Sequence, residues 1–293
     1  MKLTYIVDKN NNYTTIREVL KSHFEISNKL LLNLKTNNKI LLNNEITYVS
    51  SKIENGDIIN VLVDFEETCS NVVPKKMELE ITYEDECYIV VNKPSGIVTQ
   101  PSASYFDCSL ANGIRYYFDK IQLKKKIRPI NRLDKDTSGL IVFAKNEYIH
   151  NCLSKQMMKN EFIKEYIGIL DGVISGSHGT ISAPIARKEN SIIERCINEN
   201  GGKSITHYEI IDKKDNLSIV KFKLETGKTH QIRVHSAHLG HPIIGDTLYG
   251  CSSNLINRQA LHSYLVSFLH PITKNRVTYI SEPSEDMNSI INC

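Results

Sequence analysis

The sequence predicts an α+β fold: a core with a mainly antiparallel mixed sheet and flanking helices, preceded by a small α/β unit. Three observations predict it. Buried-strand runs recur from Leu79 onward with only two helical patterns among them. The first seventy residues instead read helix, helix, then short strands. Between these regions Phe65 to Lys76 is polar, contains Pro74 and reads as a linker. The division is a small unit at residues 1–70, a linker at 71–78 and a large domain at 79–293.

In the small unit, Ile16, Val19 and Leu20 share one face of a helical pattern from Thr15 to about Phe24. Ser27 is placed to cap a second helix, Asn28 to about Leu34, which carries Leu30, Leu31 and Leu34. Asn43-Asn44 is a turn signal between strands Lys39–Leu42 and Ile46–Val49. Gly56-Asp57 is another, and Ile58 to Val63 is a β-prone run. In the large domain Tyr88 to Asn92 reads as a buried strand ending in the turn Lys93-Pro94-Ser95-Gly96. Leu140–Ala144, Tyr166–Leu170, Ile205–Ile211, Ser218–Leu224 and Arg276–Ile280 are further strands. Helices are expected at Tyr148–Met158 and Thr229–Leu239, the latter closed by Gly240 and Pro242.

Composition narrows the function classes. Net charge is +3, so contact with nucleic acid has to come from local basic patches. The seven cysteines are odd in number and form no C-x-x-C pair, which argues against a disulfide framework and a cysteine-built zinc site. No apolar run approaches a membrane span and Met1 to Asn12 lacks the apolar core of a signal peptide, so a cytoplasmic protein is expected, with monomer as the default.

Two clusters carry candidate chemistry. Arg132-Leu133-Asp134-Lys135-Asp136-Thr137-Ser138-Gly139 is a charged, hydroxyl-rich loop opening directly into the apolar run Leu140 to Ala144. A rigid strand behind a polar loop is how a fold presents a catalytic side chain. Thr226 to His235 alternates cationic, hydrogen-bonding and apolar residues, with Thr229 the expected helix cap. Asp134 and Asp136, two apart, do not suit a pair flanking a glycosidic bond, so Asp136 is assigned to solvent or structure. His230, His235, His238 and His241 have neither H-E-x-x-H spacing nor cysteine partners, and no metal is assigned to them.

Together these clusters resemble the RluA-type family of RNA pseudouridine synthases. Tyr83 to Gly96 is similar to the family's first block, and Arg132 to Leu140 to its signature. Lys164-Glu165-Tyr166, Gly202 to Tyr208, Leu224 to Gly250, Arg258 to His262 and His270-Pro271 follow in the family's order. The small unit resembles the alpha-L RNA-binding motif through Ser27 to Leu31, Lys39 to Asn43 and Gly56 to Ile59. Three positions depart from the family pattern: Asn131 and Gln100 stand where His is usual, and Lys228 where Arg is frequent. Asn and Gln keep hydrogen bonding without titration, and Lys keeps charge without the bidentate fork.

The resemblance implies an isomerase that needs no cofactor, acting on uridines of structured RNA. Ribosomal RNA of the large subunit is favoured, and transfer RNA is the alternative. Asp134 is implied as the catalytic carboxylate, Arg233 as the cation that keeps it ionised, and Tyr166 as a ring against the uracil. Arg132 is the expected partner of the flipped nucleotide, or else the ion-pair partner of Asp136. Lys124, Lys125, Lys126 and Arg128 precede the signature and are expected to meet phosphates, as are Lys228, His230 and, in the small unit, Lys29. A non-catalytic RNA-binding or ribosome-assembly factor on the same scaffold is the competing reading, and retention of Asp134 within an intact signature favours the enzyme. A nucleoside hydrolase would need an activated water with a metal or a second carboxylate.

Overall fold

The computed structural model describes residues 1–70 and 72–292; Asn71, where the expected linker begins, and Cys293 lie outside them. The small unit is a four-stranded antiparallel sheet in the order β1-β4-β2-β3, made of β1 (Lys2–Ile6), β2 (Ile40–Leu42), β3 (Glu45–Ile46) and β4 (Ile58–Leu62). Asn43 and Asn44 both have positive φ, which lets a two-residue turn join β2 to β3. The first expected helix departs from the α pattern. One α turn, α1 (Ile16–Glu18), runs straight into a π-helical turn, Val19–His23. The wider turn keeps Ile16, Val19 and Leu20 all fully buried. The second helix, α2 (Asn28–Thr36), is capped as expected, its Ser27 hydroxyl accepting the Leu30 N–H.

The large domain is a ten-stranded, mainly antiparallel sheet with helices on its faces. One half holds β5 (Glu80–Glu84), β6 (Tyr88–Lys93), the short β7 (Arg128–Pro129) and β8 (Ser138–Ala144). The other holds β9 (Ile163–Asp171), β10 (His178–Ser182), β13 (Ile205–Lys214), β14 (Leu217–Leu224), β15 (Leu261–Leu269) and β16 (Arg276–Ile280). A separate hairpin pairs β11 (Ile185–Arg187) with β12 (Arg195–Ile197). The helices are α3 (Leu110–Lys120), α4 (Glu147–Met158), α5 (Gln231–His238) and α6 (Glu285–Asn292).

The two halves meet where β8 and β15 run parallel, His262 opposite Ser138 and Ser263 opposite Gly139. Gly139 has φ +109°, and a methyl group there would collide with the Ser263 backbone, so only glycine allows this seam. Across β15, Ser263 is in register with Tyr166 of β9. The seam thus fixes the loop entering β8 two strands from Tyr166.

Strands β6 and β8 are apolar on both faces, which is why they read as continuous runs. Tyr88, Val90, Leu140 and Val142 face α4, and Ile89, Val91, Ile141 and Phe143 face α3. The first of these faces shares one apolar cluster with the small unit, including Ile16, Leu30, Leu34 and Val61. Polar ties join the small unit to α4: Asn33 donates to Glu147 (3.0 Å), and Asn151 to Ser27 (2.9 Å).

The basic run before the signature goes elsewhere than expected. Lys125 is buried and binds the Asp64 carboxylate and the Phe65 carbonyl. Arg128 makes a two-pronged pair with Glu67 (2.5 and 2.7 Å), and Lys124 meets Glu66 at 3.1 Å. Asp64, Glu66 and Glu67, at the end of the small unit, therefore neutralise three of these four cations and tie that stretch to the large domain. Lys126 stays exposed, with no carboxylate partner among the described residues. Among the described residues six cysteines are free, and no helix is long and apolar enough to cross a membrane.

Candidate active site

The loop before β8 is held from behind. Asn131 donates to the Leu140 carbonyl (3.0 Å) and accepts the Val142 N–H (3.0 Å). An amide offers a donor and an acceptor at once, so this departure from the family pattern is satisfied as a structural clamp. Thr99 bonds both the N–H and the carbonyl of Leu133. Fully buried Lys93 donates to the carbonyls of Pro94, Ile97 and Lys135, joining the turn after β6 to the loop beside Asp134. Burial pulls the Lys93 ammonium down to about 7, while Asp136 and Asp134 oppose the shift. Three carbonyl acceptors ask for three N–H donors, which only the ammonium has. Lys93→Met is expected to cost about 2–4 kcal/mol, because the carbonyls it leaves are buried without donors. Thermal unfolding checks this; an unchanged melting temperature would remove Lys93 from the support of the loop.

Asp134 emerges from this support into a small pocket of about 60 Å³, with Tyr166, Arg233, His230, Lys228 and Arg132 also in its wall. The pocket adjoins a cleft of about 970 Å³ that shares those residues and includes Gln100 and Lys164. That volume is in the range of small-ligand sites. Arg233 Nη1 lies 3.2 Å from Asp134 Oδ2, and His230 Nε2 lies 3.8 Å from Asp134 Oδ1. The structure thus brings together Asp134, Tyr166, Arg233, Arg132, Lys228 and His230. It leaves Lys124, Lys125, Lys126 and Arg128 outside the cleft walls. Lys29 is on α2, exposed, 3.9 Å from Glu147. Arg132 is exposed at the mouth and makes no ion pair with Asp136.

Three site features went unread in the sequence. Asp246, 1% exposed, accepts from Arg233 Nε (2.7 Å) and Nη2 (2.8 Å), so the guanidinium is clamped on one edge and offers Nη1 to Asp134. The ring of Tyr249 lies 5.1 Å from the guanidinium carbon, and its hydroxyl bonds His230 Nδ1 (2.8 Å). Gln231 replaces Thr229 as the organiser of the turn. His230 takes a left-handed conformation with no side-chain cap, and the Gln231 amide accepts from Lys228 N–H and Thr226 while donating to Ile205 and Thr206.

The electrostatics follow from burial. Burial works against the Arg233 charge, but Asp246 and Asp134 overcome it and hold the group protonated. Burial, then the Asp134 charge, pushes the Tyr166 phenol well above its ordinary value. Burial lowers His230, with the Asp134 charge opposing and Arg233 adding to the effect. The site can therefore present a carboxylate beside a fixed cation and under a neutral phenol. His235 is buried between Thr206 and the Ala183 carbonyl.

One cluster elsewhere has metal-ligand geometry: Asp85, Cys87 and His270, with ligand atoms within 4.8 Å of one another. His270 Nδ1 accepts two backbone N–H groups, so Nε2 carries the proton that it gives to Asp85. Burial pushes the Cys87 thiol up to about 12. Asp85 and His270 are already partnered, Asp85 also accepting the Cys87 and Tyr88 backbone N–H groups.

Comparison with known proteins agrees with this fold. The family model described as RNA pseudouridylate synthase matches residues 87–238, and the RluD ribosomal pseudouridine synthase N-terminal domain matches residues 3–59. The chain is 36% identical over 291 residues, 98% of its length and 96% of the relative's, to an uncharacterized RNA pseudouridine synthase, YhcT, of Bacillus subtilis (strain 168). It is 37% identical to the ribosomal large subunit pseudouridine synthase D of Buchnera aphidicola subsp. Schizaphis graminum, covering 86% of each chain. Among solved structures, Human RNA Pseudouridylate Synthase Domain Containing 1 superposes with a TM-score of 0.59 at 29% identity, over 70% of this chain and 83% of that one. With its own carboxylate and guanidinium meeting within the signature-bearing cleft, this chain is an enzyme of the RNA pseudouridylate synthase family.

Proposed function

We propose that the chain converts specific uridines of large-subunit ribosomal RNA to pseudouridine, with Asp134 as the catalytic carboxylate. The observation that carries this is the Asp134–Arg233 pair at 3.2 Å in a cleft whose rim is cationic. The ribosomal target is supported by the RluD-type match to the small unit and by relatives named for the large subunit. Transfer RNA is the alternative substrate. We place the activity in the cytoplasm, in a monomer.

The reaction breaks the bond between ribose C1′ and uracil N1, turns the base, and joins C1′ to C5. The C5 proton leaves and N1 gains one, so atoms and electrons balance within the nucleotide. Asp134 serves as a nucleophile at C1′, or stabilises charge and moves a proton on the way to a glycal. Arg233 sets a fixed positive charge 3.2 Å from that carboxylate. Tyr166 stays neutral, so it packs on the uracil and relays a proton through its hydroxyl, not as a phenolate base. Arg132, free at the mouth, meets the extruded nucleotide and its phosphate.

The test is to map pseudouridines in total RNA from cells with and without the gene. One or a few large-subunit positions are expected to disappear, and to return with the wild-type gene but not with Asp134→Asn. A map that changes in transfer RNA alone would move the substrate assignment; an unchanged map, together with no conversion of either RNA by the purified chain, would end it.

A further inference from the structure

Three lysines are buried among the described residues: Lys93, Lys125 and Lys164. The first two are satisfied, one by three carbonyls and the other by a carboxylate and a carbonyl. Lys164 differs. It is 7% exposed, and among the described residues it makes neither an ion pair nor a hydrogen bond. It stands two residues before Tyr166, on the same face of β9, and like Tyr166 it lines the large cleft. Its ammonium borders the loop at Gly227, where an added methyl group would lie 3.4 Å from Nζ.

The stem of Lys164 is buried and its ammonium opens on the cleft without a protein acceptor, so a ligand entering the cleft can complete the contacts that burial has taken from it. One uracil carbonyl would leave two of its three N–H donors unmet, whereas a phosphate offers several charged acceptors. Asp134 is not the balancing group: its carboxylate meets Arg233 and His230, and it makes no ion pair with Lys164. The ammonium lies against the loop at Gly227, which also carries Lys228. We propose that Lys164 is a seat for a backbone phosphate of the target nucleotide, completed when RNA enters the cleft. This rests on the uridine-isomerising reading and adds to it a specific anchor for the phosphodiester.

The test uses the full chain with uridine 5′-monophosphate, uridine 3′-monophosphate, orthophosphate and uridine as probes, in calorimetry and phosphorus NMR. At least one nucleotide is expected to bind the wild type. Lys164→Met is expected to weaken it by about ten- to hundredfold, the worth of a charge-assisted contact, and Lys164→Arg by less than about threefold. Uridine should bind all three proteins alike. Because Met fills the space without a charge, Lys164→Met should also raise the melting temperature by about 2–4 °C. A structural lysine would do the reverse. The proposal is overturned if Lys164→Met binds both nucleotides like wild type, if it loses uridine and nucleotide equally, or if phosphate adds nothing to wild-type binding at about 10 mM. Failure here with RNA isomerisation intact removes only the seat. A phosphate effect that depends on Lys164, in a chain that modifies no RNA, removes the isomerase reading and leaves the seat.

Discussion

Asp134→Asn is expected to lower single-turnover isomerisation by at least about four orders of magnitude, some 5 kcal/mol or more of transition-state stabilisation. The amide has the same shape but neither the charge nor the nucleophilicity that the sugar carbon requires. Folding should barely notice. The Asp134 side chain is a quarter exposed, and Arg233 keeps both bonds to Asp246 when its third partner turns neutral. RNA affinity should stay within about threefold, since the cations at the mouth are untouched. The measurement is release of tritium from uridine labelled at C5, because that hydrogen must leave, run beside a filter-binding titration and a thermal melt. An amide variant that releases tritium at the wild-type rate would disqualify the carboxylate. A variant that binds no RNA would instead mean that Asp134 shapes the cleft.

How far the sequence carried the fold depends on how each element is buried. Strands apolar on both faces, such as β6 and β8, announced themselves as runs. The edge strands β1 and β5 did not, because they bury little and read as ordinary polar chain. β15 lies at the centre of the sheet yet carries His262, Ser263 and Ser267, whose hydrogen bonds to Ser281, Leu140 and Thr278 make polar residues tolerable there. Helix α3 was hidden by Asn112 and Gly113. Asn112 completes the Ser109 capping box, and Gly113 lets Met77 of the linker press against the helix, where a methyl group would sit 2.9 Å from its sulfur. Both choices lower helix propensity locally, Gly113 to admit Met77 and Asn112 to make the cap and to donate to the Val73 carbonyl (2.8 Å).

The site divides in the same way. Asp134 and Tyr166 were legible through ordered blocks, and the Asp134–Arg233 pair, 99 residues apart, only through the family resemblance. The basic run at Lys124 to Arg128 looked like a phosphate face because charge in a sequence does not reveal its partner. Asp64, Glu66 and Glu67 claim most of it only once the chain folds back. Asp246 was visible as a residue but not as a clamp, since no periodicity links it to Arg233, thirteen positions earlier.

That clamp carries the largest stability effect in the site. Asp246→Ala is expected to lower stability by about 3–5 kcal/mol, the cost of stripping one partner from a buried ion pair. The side chain is 1% exposed and also accepts the N–H groups of Leu248 and Tyr249, so its loss orphans backbone donors as well. At about 2–4 °C per kcal/mol for a chain of this class, the melting temperature should fall by roughly 6–20 °C. Asp246→Asn separates packing from charge. It can still accept the two backbone N–H groups but gives Arg233 one carbonyl in place of a carboxylate. The guanidinium then turns toward Asp134, its remaining anion, and a carboxylate held that tightly is a poorer nucleophile. Turnover should drop about a hundredfold with RNA affinity nearly constant, because the defect lies at the reacting carboxylate and not at the cationic mouth. Arg233→Met combined with Asp246→Leu, which removes both buried charges, should regain much of the stability that Asp246→Ala loses while staying inactive. A melt showing Asp246→Ala as stable as wild type would mean that Arg233 has another way to settle its charge, and the fixed-cation account of Asp134 would go with it.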